Sequence, residues 1–298
     1  MEQVKKFHRK HDLRGKIVNY VLLVLASIFV LIPFFYLVMT CFKDLNEVTG
    51  STVTLFPQGN HFLENLSFVW NYEDYHFFRY FFNTMFIFVL KTVGILLTCS
   101  LAGYAFAKFP CKLNSFMFTA FIAVLFLPGE LLNIPFYEIM VNLNLRYSPI
   151  YVPIWIGAWF GTDITIIFLF RQYFFSIPDS LAAAAKIDGA NEFTAFLRVM
   201  LPLSRSVIVT TIILYFVGTY NDVYGPSLYI RANDYEHKVI AQSVGIFENL
   251  YNYGSRDFIV PYHYVSIATV ISILPVLVFF FAAQKNFVES LVGSGLKA

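Results

Sequence analysis

The chain has 298 residues, of which 58% are hydrophobic and 13% charged, with 35 phenylalanines, 19 tyrosines and a net charge of +2. An average soluble domain carries about 25% charged residues, so this composition excludes a water-soluble surface over most of the chain, and the small net charge gives nucleic acid no electrostatic footprint. The aromatic content exceeds what one soluble core can bury and suits lipid contact and interfacial belts.

Crossing the hydrocarbon takes about 20 mostly apolar residues, and a lipid-exposed backbone must satisfy its own hydrogen bonds, so each such run is expected to be a helix. The first run is 17–42. A basic start ahead of an apolar run also describes a signal peptide, but this run is about twice the length of a signal core, contains Pro33 and ends at Cys41, Phe42 and Lys43 without a small-x-small cleavage site, which predicts a retained helix. The second run, 81–106, is interrupted by Lys91, and the third, fourth, fifth and sixth are 116–139, 150–170, 207–229 and 264–283. The expected fold class is all-α, a polytopic membrane protein with six transmembrane helices and a cytoplasmic loop of coupling-helix type. With the N-terminus inside, fourteen of the 21 Lys and Arg residues fall in inner segments, six fall outside and Lys91 lies within a span, which places both termini in the cytoplasm. The expected organisation is a cytoplasmic N-terminal segment 1–16, a transmembrane domain 17–284 and a cytoplasmic tail 285–298. Cys41, Cys99 and Cys111 fall at an outer end, in mid-span and in an inner loop, and read as reduced packing residues.

Two loops are long for helix connections, the inner 171–205 and the outer 230–263, and long loops usually carry function. In the inner loop, Pro178 and Asp179 make a helix start, the alanines continue it, and Asp188-Gly189 supplies a turn with Gly able to take the left-handed conformation. Asn191 can cap a second helix, expected to run to about Met200 and to stop before Leu201-Pro202. The pattern predicts a helical knob on the cytoplasmic face; the competing reading is an amphipathic connector lying on the headgroups.

Ala183-Ala184-Ala185-Lys186-Ile187-Asp188-Gly189-Ala190, followed by Leu201-Pro202-Leu203, resembles the cytoplasmic signature loop of ABC importer permeases, usually Glu-Ala-Ala-x-x-Asp-Gly-Ala. Asn83-Thr84, the segment from Leu101 to Lys108, the segment from Phe168 to Gln172, Tyr220-Asn221-Asp222 in place of Trp-Asn-Asp, and the tail from Gln284 to Lys297 are similar to the carbohydrate branch, the second permease of the maltose type. Order and spacing agree from Asn83 to the C-terminus.

The resemblance implies a subunit of a binding-protein-dependent sugar importer in the bacterial cell (inner or plasma) membrane. Its implied partners are a second homologous permease, two ABC ATPase subunits, an extracytoplasmic solute-binding protein, the sugar substrate and membrane lipid. It implies that Ala183, Ala184, Ala185, Lys186, Asp188, Gly189 and Ala190 couple to the ATPase. It also implies that the tail, through Gln284, Lys285, Gly293, Gly295 and Lys297, reaches the ATPase pair. Ala183 stands where the family most often has Glu, so any ion pair that Glu would make is missing; an exposed pair is worth only about 0.2–1 kcal/mol, and shape can carry the coupling without it. The chain has no Gly-x-x-x-x-Gly-Lys-Ser/Thr loop, so ATP chemistry is expected in a partner and no cofactor in this chain.

Ionisable groups at membrane depth are costly and functional by default. Lys91 is a candidate for the translocation path or the partner permease, together with Tyr220, Asn221 and Asp222, which read with Gly225-Pro226 as a broken end of the fifth helix. Glu130 and Asp163 read as interface ends. In the outer loop, Phe247, Tyr251, Asn252 and Tyr253 form a sugar-like aromatic and amide surface, expected to meet the binding protein; the alternative is an interfacial anchor. The six histidines lie in terminal or loop segments without metal-ligand spacing, which disfavours a membrane-embedded enzyme. The remaining alternative, a secondary transporter driven by an ion gradient, would show repeated halves with matching interrupted helices, and these are not evident.

Overall fold

A computed structural model describes residues 2–50, 52–109, 112–126, 128–248, 250 and 259–295; side chains of 2–14, Glu130, Ala283 and 285–295 lie outside the description. The described residues form helices and no strands. In chain order these are α1 (Glu2–Thr40), α2 (Leu45–Thr49), α3 (Phe62–Asn71), α4 (Phe77–Lys108), α5 (Lys112–Val124), α6 (Gly129–Asn142), α7 (Val152–Trp155) and α8 (Ile164–Ser176). After them come α9 (Asp179–Ile187), α10 (Glu192–Ala195), α11 (Leu201–Leu203), α12 (Arg205–Tyr220), α13 (Tyr224–Tyr229), α14 (Ile240–Ser243), α15 (Gly245–Glu248) and α16 (Tyr262–Gly295). A 3-10 turn, Ile156–Phe160, follows α7, and a π-helical turn, Phe196–Met200, joins α10 to α11. The chain divides into two compact units, residues 1–73 with 244–271 and residues 74–243 with 272–298.

Within the first unit, the apolar stretch Gly15–Thr40 of α1 has a mean hydropathy of 2.8 with none of its strongest window buried, a surface that only lipid or another apolar partner satisfies. At its end, the Asn65 amide of α3 donates to the carbonyls of Cys41 (3.0 Å) and Lys43 (2.9 Å), which pins the turn leaving α1. Phe42 stacks on Phe62 and Phe68 on Tyr264.

In the second unit, α4 is the central helix and packs along α8. The closest approach is at Gly103, where an added Cβ would lie 2.6 Å from the Phe170 Cβ and 3.0 Å from the Arg171 amide nitrogen; only a residue without a side chain lets the two backbones meet there. Ile95, Cys99, Tyr104, Phe170, Phe174, Phe196 and Met200 fill the core of this contact. Lipid tails are as apolar as these side chains, so close van der Waals packing holds this layer together. Cys41 and Cys99 are buried free thiols, as expected of packing residues, and Cys111 lies outside the described residues.

Among the described residues, four helices are long and apolar enough to cross a membrane: Gly15–Thr40, Phe77–Lys108, Val152–Ser176 and Tyr262–Ala282, the third counted across its internal break. A fifth is supplied if the pair Glu192–Leu203 and Arg205–Tyr220, bent by 74°, is one span. The expected third run 116–139 is divided between α5 and α6, because Pro128 and Gly129 interrupt it. The expected fourth run is broken between the 3-10 turn and α8, where Asp163 caps a fresh helix start. The fifth stops at Tyr220, and the break falls at 221–223; Gly225 and Pro226, expected to cause it, sit inside the first turn of α13, where a proline has no helical N–H bond to forfeit. Pro202 likewise does not stop the loop's second helix. The π turn sends the Leu201 amide to the Phe196 carbonyl, Pro202 starts the next short turn, and the helix ends at Ser204. Helical backbone extends beyond the apolar runs at both ends, from Glu2 into the first and from the last to Gly295.

Candidate functional site

The inner loop folds as its sequence dictates. Pro178 precedes α9, Asp179 stands in its first turn, and the helix ends in a Schellman cap. Gly189 adopts φ +88°, its amide donates to the Lys186 carbonyl (3.0 Å), and the Ala190 amide reaches the Ala185 carbonyl (2.9 Å). Asn191 then caps α10, its side chain accepting from the Thr194 amide at 2.8 Å. Lys186 pairs with Glu192 across the turn, so the two helices form one clamped corner.

This corner is anchored on one side and bare on the other. Ala182 is buried in the same core as Tyr104, Phe174, Phe196 and Met200, and the Tyr104 hydroxyl donates to Glu192 (3.4 Å). The Lys108 ammonium at the end of α4 donates to the Ile177 carbonyl (2.8 Å) and to the Asp179 carboxylate (2.6 Å), which holds that carboxyl below the usual carboxylate range. On the outer side Ala183, Ala184, Lys186, Asp188 and Gly189 are exposed, with Ala185 and Ala190 partly so. Ile187 is 86% exposed and Phe193 58%. Neither was singled out from the sequence, although an isoleucine between Lys186 and Asp188 at a helix end is poorly placed for solvent alone.

Within the second unit the structure brings together residues far apart in sequence. Lys91 of α4 lies 3.5 Å from Asp222 in the break after α12, with the two side chains 18% and 26% exposed. Of their two companions, Tyr220 turns away and donates to the Ser272 carbonyl of α16 (2.6 Å), while Asn221 folds back onto the Val217 carbonyl (3.0 Å). Asp163, read from the sequence as an interface end, joins two helices. One carboxylate oxygen accepts from the Ile166 amide (3.1 Å) and the other from the Tyr215 hydroxyl of α12 (2.7 Å). Lys91, Asp163 and Tyr215 share the wall of a cleft of about 560 Å³ with Thr162, Thr165 and Thr219.

Among the outer-loop candidates, Phe247 is fully buried and packs beside Tyr72, so its ring supports the loop from within instead of forming its surface. Tyr251, Asn252 and Tyr253 lie outside the described residues. Of the tail candidates, Gln284 is exposed, Lys285, Gly293 and Gly295 lie on helical backbone, and Lys297 is outside the described residues, as is the Glu130 side chain. Among the described residues, no three His, Cys, Asp or Glu side chains converge as metal ligands.

No family model matches the sequence. The arabinooligosaccharides transport system permease protein AraQ of Halalkalibacterium halodurans is 27% identical to this chain over 268 residues, covering 89% of the chain and 90% of that protein. The lactose transport system permease protein LacG of Rhizobium radiobacter is 29% identical over 282 residues, covering 93% and 95%. A crystal structure of a bacterial ABC transporter involved in the import of the acidic polysaccharide alginate matches with a TM-score of 0.73 at 24% identity, covering 92% of this chain and 96% of that one. That last likeness bears on the fold.

Proposed function

We propose that this chain, which belongs to the permease subunits of carbohydrate ABC importers, moves a sugar or oligosaccharide across the bacterial plasma membrane by coupling to ATP hydrolysis in two partner ATPase subunits. The chain is a transport subunit, not an enzyme, and its multi-pass character follows from its apolar helices and its relatives. The relatives named above are named for an arabinooligosaccharide and a disaccharide, and the structural neighbour for a polysaccharide, which supports saccharide as the substrate class. In this reading a second permease completes the path, a solute-binding protein delivers substrate from outside, and the chain carries no cofactor of its own. Both termini face the cytoplasm, and six crossings result when α5 with α6 counts as one interrupted span and α12 as another.

The observation that carries the reading is the α9–α10 corner, rigidly capped at Gly189 and anchored through Ala182, yet exposing Ile187 and Phe193. Rigid anchoring transmits displacement and an exposed apolar tip fits a groove. Burying the Ile187 side chain contributes about 1.5–3 kcal/mol, more than the roughly 0.2–1 kcal/mol of the exposed ion pair that Ala183 forgoes, so apolar seating compensates for the missing glutamate. The tail from Gln284 onward reaches the ATPase pair, and the outer loop around 251–253 meets the binding protein. Lys91 and Asp222 border the path.

Two measurements test this. Purification without crosslinking should retain an ATPase, and proteoliposomes holding the assembled complex should take up an oligosaccharide only with ATP inside the face that binds the ATPase. Uptake driven by a proton or sodium gradient without ATP would restore the ion-gradient alternative, which the relatives do not favour.

A further inference from the structure

We propose that the cleft between α4, the break ahead of α8 and α12 is a saccharide subsite that admits neutral sugars and disfavours acidic ones. The inference rests on the importer reading above and adds a substrate class to it. Two observations lead here. Helix Val152–Ser176 is apolar enough to span, yet its backbone is broken at 161–163, and irregular backbone at membrane depth is tolerated where it lines a cavity or is buried in protein. At that break sits Asp163, a carboxylate that accepts from two neutral donors, the Ile166 amide and the Tyr215 hydroxyl. A carboxylate hydrogen-bonded to neutral donors is expensive in lipid, and the cost falls if the cleft is wet.

The chemistry of the walls defines the ligand. Each Asp163 oxygen already accepts one hydrogen bond and keeps capacity for another, which suits the hydroxyl donors of a sugar. Thr162 and Thr165 add exposed hydroxyls and Leu214 presents apolar surface to the C–H face of a ring, while Thr219, Ile154 and Ile166 lie buried behind them. Lys91 does not neutralise Asp163, because its ammonium is paired with Asp222. Lys91 and Asp163 are the charged residues on the cleft wall, and Asp222, off the wall, offsets the ammonium of Lys91, so a uronate or phosphorylated sugar meets repulsion at Asp163 that a neutral sugar does not.

The test uses the complete complex in proteoliposomes, with Thr165→Cys as reporter, since Thr165 is exposed on the cleft wall, and the unsubstituted chain as background for the native thiols. A cationic methanethiosulfonate should label the reporter about three- to ten-fold faster than an anionic one, and Asp163→Asn should bring that ratio close to one. A neutral oligosaccharide should slow labelling by both reagents, and a uronate oligosaccharide of the same length should not. Labelling by membrane-permeant N-ethylmaleimide alone would put the cleft on the lipid side and overturn the proposal. So would equal rates for the two charged reagents, equal protection by the uronate, or protection by sodium ions instead of sugar. If Asp163→Asn fails to assemble, the reagent and saccharide comparisons on the Thr165→Cys chain decide by themselves. ATP hydrolysis and uptake are measured on the same complex: an active importer with an unreactive reporter refutes the subsite and leaves the transport function standing, whereas a complex without ATP-driven uptake refutes the function itself.

Discussion

Gly189 offers a graded test of coupling, because its role is confined to one backbone angle. At φ +88° an added Cβ would meet nothing within 4 Å, so a substitution there is opposed by intrinsic backbone strain and not by a clash. Alanine in the left-handed region costs about 1–2 kcal/mol, a factor of roughly 5–30 in the population of the capped corner. Asparagine tolerates that region and should cost less than about 1 kcal/mol. Proline fixes φ near about −65° and removes the N–H that bonds the Lys186 carbonyl, so the cap must open at a cost of about 3 kcal/mol or more. The assay is ATPase activity of the reconstituted complex with and without substrate-loaded binding protein, alongside the amount of permease inserted. Insertion should be unchanged across the series, since Gly189 itself lies outside the apolar helices. Stimulation should fall in the order Gly, Asn, Ala, Pro, with Pro abolishing it. Normal stimulation in Gly189→Pro, or an alanine variant as inactive as proline, would refute the idea that the cap geometry transmits the signal.

Ile187→Ser should weaken retention of the ATPase on purification by about ten-fold or more, read from the wash conditions the complex survives, because the apolar contact is lost without altering the cap. Gly103→Ala should lower the melting temperature in detergent by an amount equivalent to about 1–3 kcal/mol, since the new methyl meets Phe170 and backbone of α8, while Gly129→Ala, whose Cβ meets nothing, should not. Lys108→Ala should reduce coupling more than Asp179→Asn, because Lys108 also holds the Ile177 carbonyl. The lowered Asp179 pKa means this pair favours the folded corner above the ordinary carboxylate range and loses that contribution as pH falls through the lowered value, so proteolysis at 178–190 should rise only on strong acidification. Exchanging 251–254 for a Gly/Ser linker of equal length should lower stimulation by the loaded binding protein; wild-type stimulation would leave that segment an interfacial anchor.

The sequence alone determined what depends on neighbouring residues and on solvent. Mean hydropathy set the all-helical membrane class, since lipid leaves the backbone few alternatives, and the Pro178 start, the Gly189 cap and the Asn191 cap each rest on hydrogen bonds spanning only a few residues. The order of the signature residues also sufficed to point to the permease family. Tertiary structure decided the rest. A hydropathy window averages over residues and is blind to backbone bonding, so it smoothed over the break at 161–163 and could not reveal that a π turn accommodates Pro202, whereas the broken end of the fifth helix was legible in Tyr220-Asn221-Asp222 and Gly225-Pro226 and only its exact place, 221–223, was not. Partner choice was equally hidden. Lys91 meets Asp222 across 131 positions and Asp163 meets Tyr215 across 52, pairings that the packing of α4, α8 and α12 imposes and no local pattern encodes. Burial followed the same rule: Phe247 and Ile187 are both apolar residues in short helices between the spans, and only the surrounding chain made one a core ring and left the other in the open.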